Sequence, residues 1–239
     1  MGKGIRLDKM LAHMGYGSRK EIRRLCKEGL VTIDEKVVKD SSLHVDTENQ
    51  RVKVGLEVVE YREYVYLLLN KPAGVISATE DLRHETVIDL IDEGYRGFDL
   101  FPVGRLDIDT EGLLLLTNDG QLAHKLLSPK KHVPKTYYAE IEGIVTEEDK
   151  VAFKAGVTLD DGYKTLPADL KILKSDIISE IELTIYEGKF HQVKRMFEVV
   201  NKKVVYLRRI SMGDLFIDEK LNLGEYRELT PVELALLNK

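Results

Sequence analysis

The sequence has one cysteine, Cys26, no tryptophan and six prolines in 239 residues. A lone cysteine excludes an internal disulfide and a cysteine-rich zinc site, so a reducing cytoplasm is the expected setting. No apolar run approaches the roughly 20 residues of a membrane-spanning helix. The opening Met1-Gly2-Lys3-Gly4-Ile5-Arg6 lacks the apolar centre of an export signal, so neither secretion nor membrane insertion is expected. There is no phosphate-binding glycine loop, dinucleotide fingerprint or metal-ligand spacing, and neither a cofactor nor a metal is expected. Hydrophobic residues at 43% and charged residues at 32% suffice for a buried core, which excludes disorder and low complexity. The length suits one or two domains.

A net charge of −5 argues, taken whole, against a polyanionic partner. Its distribution argues otherwise. Residues 1–55 carry 12 basic and 8 acidic side chains, a balance of +4, and the remainder carries 24 and 33, a balance of −9. Such asymmetry fits a separate nucleic-acid-binding module as well as it fits chance.

Ser18 followed by Glu21 has the spacing of a capping box, which predicts a helix running to about Lys27 and stopped by Gly29. Ile22, Leu25 and Cys26 share its inner face, while Lys20, Arg23, Arg24 and Lys27 fall in one outward arc of about 100°. Like charges so placed repel unless phosphates face them. Before this helix, Ile5–Met14 is predicted as a short amphipathic helix. After it, Val31–Ile33 and Val37–Val38 are predicted as strands around Asp34-Glu35. The order Ile5-Arg6-Leu7-Asp8-Lys9-Met10-Leu11, Gly17-Ser18-Arg19, Gly29-Leu30-Val31-Thr32-Ile33-Asp34 resembles the S4 RNA-binding domain, which more often has Asp-Gly where this chain has Asp34-Glu35. The resemblance implies RNA contacts from Arg6, Lys9, Ser18, Arg19, Lys20, Arg23, Arg24 and Lys27.

The polar stretch 57–63 is expected to connect this module, residues 1–56, to a second domain over 64–239. There, strands are predicted at Tyr64–Leu69, Leu113–Leu116, Tyr137–Ile141, Ile181–Ile185 and Val204–Leu207, and helices at Val87–Ile91, Gln121–Leu126 and Val193–Val200. The irregular alternation excludes a regular βαβ array. It predicts an α+β fold with a mixed, largely antiparallel sheet flanked by helices.

The most informative stretch is Gly104-Arg105-Leu106-Asp107-Ile108-Asp109-Thr110-Glu111-Gly112, running into four leucines and Thr117-Asn118-Asp119-Gly120. Its opening imitates a calcium loop, yet the bidentate glutamate due at the twelfth position is Asn118, and the leucines suit a buried strand, so calcium is not expected. What remains is a loop delivering carboxylates to the mouth of a strand. A structural turn and a glycosidase-like carboxylate pair both fit it. Together with Asn70-Lys71-Pro72-Ala73-Gly74, Lys135-Thr136-Tyr137 and Glu187-Gly188-Lys189-Phe190-His191-Gln192-Val193-Lys194-Arg195-Met196, the loop resembles the pseudouridine synthases, in the motif order of the RsuA family acting on small-subunit ribosomal RNA.

The resemblance implies a pseudouridine synthase fold and a cofactor-independent isomerase. It assigns Asp107 as the nucleophile, Lys194 as the cation that pairs with it, and Tyr137 as the ring stacked on the target base. Asp109 and Glu111 are expected to be structural. A direct attack on C1′ and a glycal route both remain open. A stacked uridine must be flipped out, and Arg105 is expected to fill the gap or clamp a phosphate. His191 and Arg195 are expected to contact RNA within a second basic strip, 189–209, which holds seven basic residues and one acid. The implied partner is ribosomal RNA, 16S in preference to 23S, or a small-subunit assembly intermediate, bound by a monomer. A non-catalytic rRNA-binding or assembly factor is the rival reading.

Overall fold

The computed structural model describes residues 4–237; the reading of Met1 to Lys3 as lacking a signal lies outside them. The amino-terminal part runs β1 (Ile5–Arg6), α1 (Leu7–His13), α2 (Arg19–Lys27), β2 (Val31–Ile33), β3 (Lys36–Val37), β4 (His44–Val45), β5 (Val52–Val54) and β6 (Glu57–Val58). Helix α1 starts two residues later than its apolar pattern suggests, because Ile5 and Arg6 are drawn into antiparallel pairing with Val45 and His44. Helix α2 has the expected capping box: the Ser18 amide donates to Glu21 Oε2 at 2.8 Å and the Ser18 hydroxyl accepts from the Glu21 amide at 3.4 Å. Ile22 and Cys26 are fully buried on its inner face, with Leu7, Met10, Leu11, Val31 and Val45 around them. Asp34 and Glu35 turn the β2–β3 hairpin with φ of 49° and 64°, the conformation for which Asp-Gly is the commoner pair.

Strands β3-β2-β5-β6 form one small sheet. The stretch 57–63, expected as a connector, therefore begins inside that sheet. The first compact unit runs on to Val65 and also takes in Asp92–Leu100, while the second comprises Tyr66–Ile91 and the chain from Phe101 onward. Within the first unit the Phe98 ring stands edge-on to His13 at 4.7 Å.

The second unit contains β7 (Tyr66–Lys71), β8 (Phe101–Pro102), β9 (Glu111–Thr117), α3 (Gly120–Leu127), β10 (Lys135–Glu142), α4 (Glu147–Ala155), β11 (Asp169–Lys174), β12 (Ile178–Ile185), α5 (Gln192–Val199), β13 (Lys203–Met212), β14 (Leu215–Phe216), β15 (Tyr226–Glu228) and α6 (Pro231–Leu237). The strand order is β11-β12-β10-β13-β9-β7-β15, with β14 beside β13 and β8 beside β9. Every pairing is antiparallel except β9 with β13. Leu67–Leu69 and Leu113–Leu116 have no exposed surface, because β7 and β9 are covered on both faces. Val87–Ile91, expected as a helix, is a turn, in which Asp89 accepts from both the amide and the hydroxyl of Thr86.

The parallel junction positions the acidic loop. Glu111 and Gly112 lie opposite Arg208 and Arg209. Gly112 has φ of +99°, and a Cβ there would collide with the Arg209 carbonyl oxygen, so the site tolerates only glycine.

Candidate active site

The loop from Gly104 to Thr110 enters β9 and is fastened by its main chain. Lys71, at the end of β7, has no exposed surface; its ammonium donates to the carbonyls of Pro72 at 2.9 Å, Asp107 at 3.2 Å and Thr110 at 2.9 Å. The Ser77 hydroxyl donates to the Leu106 carbonyl at 3.0 Å and accepts from its amide at 3.1 Å. Burial pushes the Lys71 ammonium down to about 8, against the pull of Asp109, Glu111 and Asp107. Lys71 belongs to the Asn70–Gly74 motif that carries the family resemblance, but its solvent-free position is a tertiary fact.

With its backbone held, the loop offers its carboxylates to α5. Lys194 Nζ lies 3.1 Å from Asp107 Oδ2 and 2.6 Å from Asp109 Oδ1. Burial works to lower the Lys194 pKa, but the hydrogen bonds with Asp109 and Asp107 prevail and hold it above the usual lysine value. Asp109 is subject to the reverse balance: burial raises it, yet Lys194 keeps it below the ordinary carboxylate range. Asp109, expected to be structural, thus shares the Asp107 cation. His191, in the left-handed region with φ of 47°, places Nε2 3.6 Å from Asp107 Oδ1. Its ring stacks on Phe190 at 3.7 Å.

Tyr137 is buried on the cavity face of β10. Tyr138 points to the other side, where its hydroxyl donates to Glu180 at 3.0 Å. Asp107, Tyr137, Arg105, His191, Lys135 and Arg209 line a cavity of about 130 Å³. It adjoins a wider cleft of about 910 Å³, which reaches Tyr163, Lys189 and Phe190. Arg105 is exposed at the rim, beside the acidic loop. Among the described residues no group of histidine, cysteine and carboxylate side chains could hold a metal ion.

The second basic strip is not a surface strip. Arg195 is spent on Asp160 and Asp161, at 2.7 Å from the latter, so it anchors that loop instead of presenting a free cation. Lys202 pairs with Asp149 at 2.9 Å, Lys194 with the acidic loop, and Arg209 is 2% exposed with Nε donating to the Leu113 carbonyl at 2.8 Å. Lys189 and Lys203 remain exposed. In the first unit, the Ser18 hydroxyl is consumed by the capping box and Arg6 is tied to Asp8 at 2.7 Å. Lys9, Arg19, Lys20, Arg23, Arg24 and Lys27 are exposed. Arg24 lies 3.7 Å from Glu28, and among the described residues no carboxylate lies within 4.0 Å of Lys20, Arg23 or Lys27.

The site thus sets a carboxylate against a lysine at the mouth of a buried strand, with a tyrosine lining the same small cavity. The family model described as RNA pseudouridylate synthase matches residues 65–199, and the S4 domain model matches residues 5–52. The chain belongs to the RNA pseudouridine synthases. This synthase is 55% identical to the uncharacterised RNA pseudouridine synthase YtzG of Bacillus subtilis, over 98% of its own length and 99% of the relative's. It is 42% identical to the ribosomal large subunit pseudouridine synthase B of Bacillus subtilis, covering 97% and 95% of the two chains. To the ribosomal small subunit pseudouridine synthase A of Yersinia pestis it is 39% identical, covering 97% of each. A crystal structure of a pseudouridylate synthase superposes on the synthase with a TM-score of 0.69 at 37% identity, covering 98% and 99%. The synthase has the pseudouridine synthase fold with an amino-terminal S4 domain, and it is an isomerase acting on RNA.

Proposed function

We propose that this synthase converts a specific uridine of ribosomal RNA to pseudouridine, with Asp107 as the nucleophile acting on a flipped-out base. The observation that carries the reading is the Lys194 contact at 3.1 Å, which sets a cation against the partly buried Asp107 carboxylate at the wall of the small cavity. In the direct route an Asp107 oxygen bonds to C1′ as the C1′–N1 bond breaks, and the electron pair leaves with uracil. The base then turns, C5 bonds to C1′, and the carboxylate departs with its own pair. C5 loses its proton and N1 gains one, so the product is an isomer of the substrate. Tyr137, buried against the same cavity, stacks on the base.

Small-subunit RNA is the preferred target, from the form of the His191–Met196 motif and the small-subunit relative at 39% identity. The large-subunit relative at 42% supports 23S RNA as the second reading. Mapping pseudouridine in ribosomal RNA from cells with the protein, without it, and with Asp107→Asn decides both points. One 16S position is expected to lose its pseudouridine in the second and third cases. A 23S position lost instead selects the other subunit, and an unchanged map refutes the proposal.

A further inference from the structure

Beside the Asp107–Lys194 pair, the cavity has a second charged group that the chemistry described so far does not use. Lys135 and Tyr137 stand two residues apart on β10, hence on one face of the sheet, and the cross-strand partner of Tyr137 on β13 is Arg209. All three line the cavity. Lys135 is 8% exposed and Arg209 2%. Neither has a carboxylate within ion-pair distance among the described residues. Lys135 donates to the Val133 carbonyl at 3.0 Å, Arg209 Nε to the Leu113 carbonyl, and Arg209 Nη2 is buried with no partner. Burial, and then the charge of Arg209, push the Lys135 ammonium down to about 8. Two buried cations side by side without an anion are costly to fold, and such groups mark places where negative charge arrives.

The reaction supplies that charge. By either route, breaking C1′–N1 leaves its electron pair on uracil, an anion spread over N1, O2 and O4, which must be retained while it turns. We propose that Lys135 and Arg209 form the electrostatic floor that stabilises the detached uracil anion, while Lys194 serves the carboxylate. The inference rests on the isomerisation of uridine proposed above.

The test is the single-turnover consumption of N1-linked nucleoside in RNA carrying either uridine or 5-fluorouridine at the target, with wild type, Lys135→Met, Lys135→Arg and Asp107→Asn. Fluorine at C5 stabilises the uracil anion, so it makes departure less dependent on the protein's cations. Lys135→Met is expected to lose about 30-fold on uridine and about fivefold or less on 5-fluorouridine, with RNA affinity within about twofold of wild type. Lys135→Arg, which keeps the charge, is expected to retain most of the rate. Equal losses on the two substrates, a loss in RNA affinity alone, or an arginine variant as impaired as the methionine one would overturn the assignment. Asp107→Asn separates the two proposals: activity retained there removes the nucleophile reading, whereas a dead Asp107→Asn beside a Lys135→Met insensitive to fluorine removes only the anion floor.

Discussion

Lys194 is nearer to Asp109 than to Asp107, 2.6 Å against 3.1 Å, so one ammonium is shared by two carboxylates brought together by a single tight loop. Removing the cation leaves both charges in a partly enclosed site, whereas removing Asp109 leaves the remaining pair intact. Lys194→Met is therefore expected to cost about 100-fold in single-turnover rate and Asp109→Asn about tenfold or less, with RNA affinity little changed. If Asp109→Asn proved the more damaging, the sharing of the cation would be misread.

Lys71 positions Asp107 without facing the cavity. Lys71→Met removes the hydrogen bonds to the Asp107 and Thr110 carbonyls of the loop and is expected to lower kcat roughly tenfold with a smaller change in KM. The same ammonium leaves a signature in stability. Its folded pKa of about 8 lies below the unfolded value of about 10.4, so between those limits the unfolded chain binds more protons, and stability from this group rises with pH. The urea-derived stability of wild type minus that of Lys71→Met is expected to grow by about 1–3 kcal/mol from pH 7 to pH 10. A flat difference would show that the ammonium is better solvated than its burial implies.

At the carboxyl end, Glu233 receives Arg227 at 2.7 Å and caps α6 through the Thr230 amide at 2.8 Å. The Arg227 hydrogen bond is the main reason its carboxyl falls to about 2, burial opposing it. A depressed carboxylate stabilises fully above its unfolded pKa and loses that contribution as pH falls to the folded value. Glu233→Gln is expected to lower stability by about 1–2 kcal/mol at pH 7, the side chain being partly exposed, and the gap should close between about pH 4.5 and pH 2. Denaturant melts of both proteins across that range measure it.

Lys20, Arg23 and Lys27 are exposed on α2, and we propose that they face RNA phosphates. Reversing Lys20, Arg23 and Lys27 to glutamate is expected to weaken ribosomal RNA binding and to reduce the slope of log affinity against log salt by about two, while the melting of the domain stays close to wild type. A slope that does not move would place the RNA elsewhere.

Local signals were the legible ones. The Ser18–Glu21 box, the leucine strand after Asp107 and the apolar stripe of α5 are patterns within a few residues, and each fixed an element to within a residue or two. The helix expected at Val87–Ile91 failed because the Thr86–Asp89 hydrogen bonds close a turn instead. Helix α4 was overlooked although Thr146 and Asp149 carry a capping pattern. The basic strip misled for a different reason: spacing along the chain does not reveal where Asp149, Asp160 and Asp161 lie in space, and these acids absorb Lys202 and Arg195. The buried lysines at 71 and 135 were invisible too, since only the sheet decides that a charged residue in a motif has no solvent.

Asp92–Leu100 lies between β7 and β8 in the chain yet belongs to the amino-terminal unit, with Phe98 against His13. The two units are consequently joined by three chain crossings, not by one tether. A domain exchange that treats the first 65 residues as a detachable cassette would leave Asp92–Leu100, part of that cassette's own packing, behind, so the amino-terminal unit is portable only as a discontinuous graft.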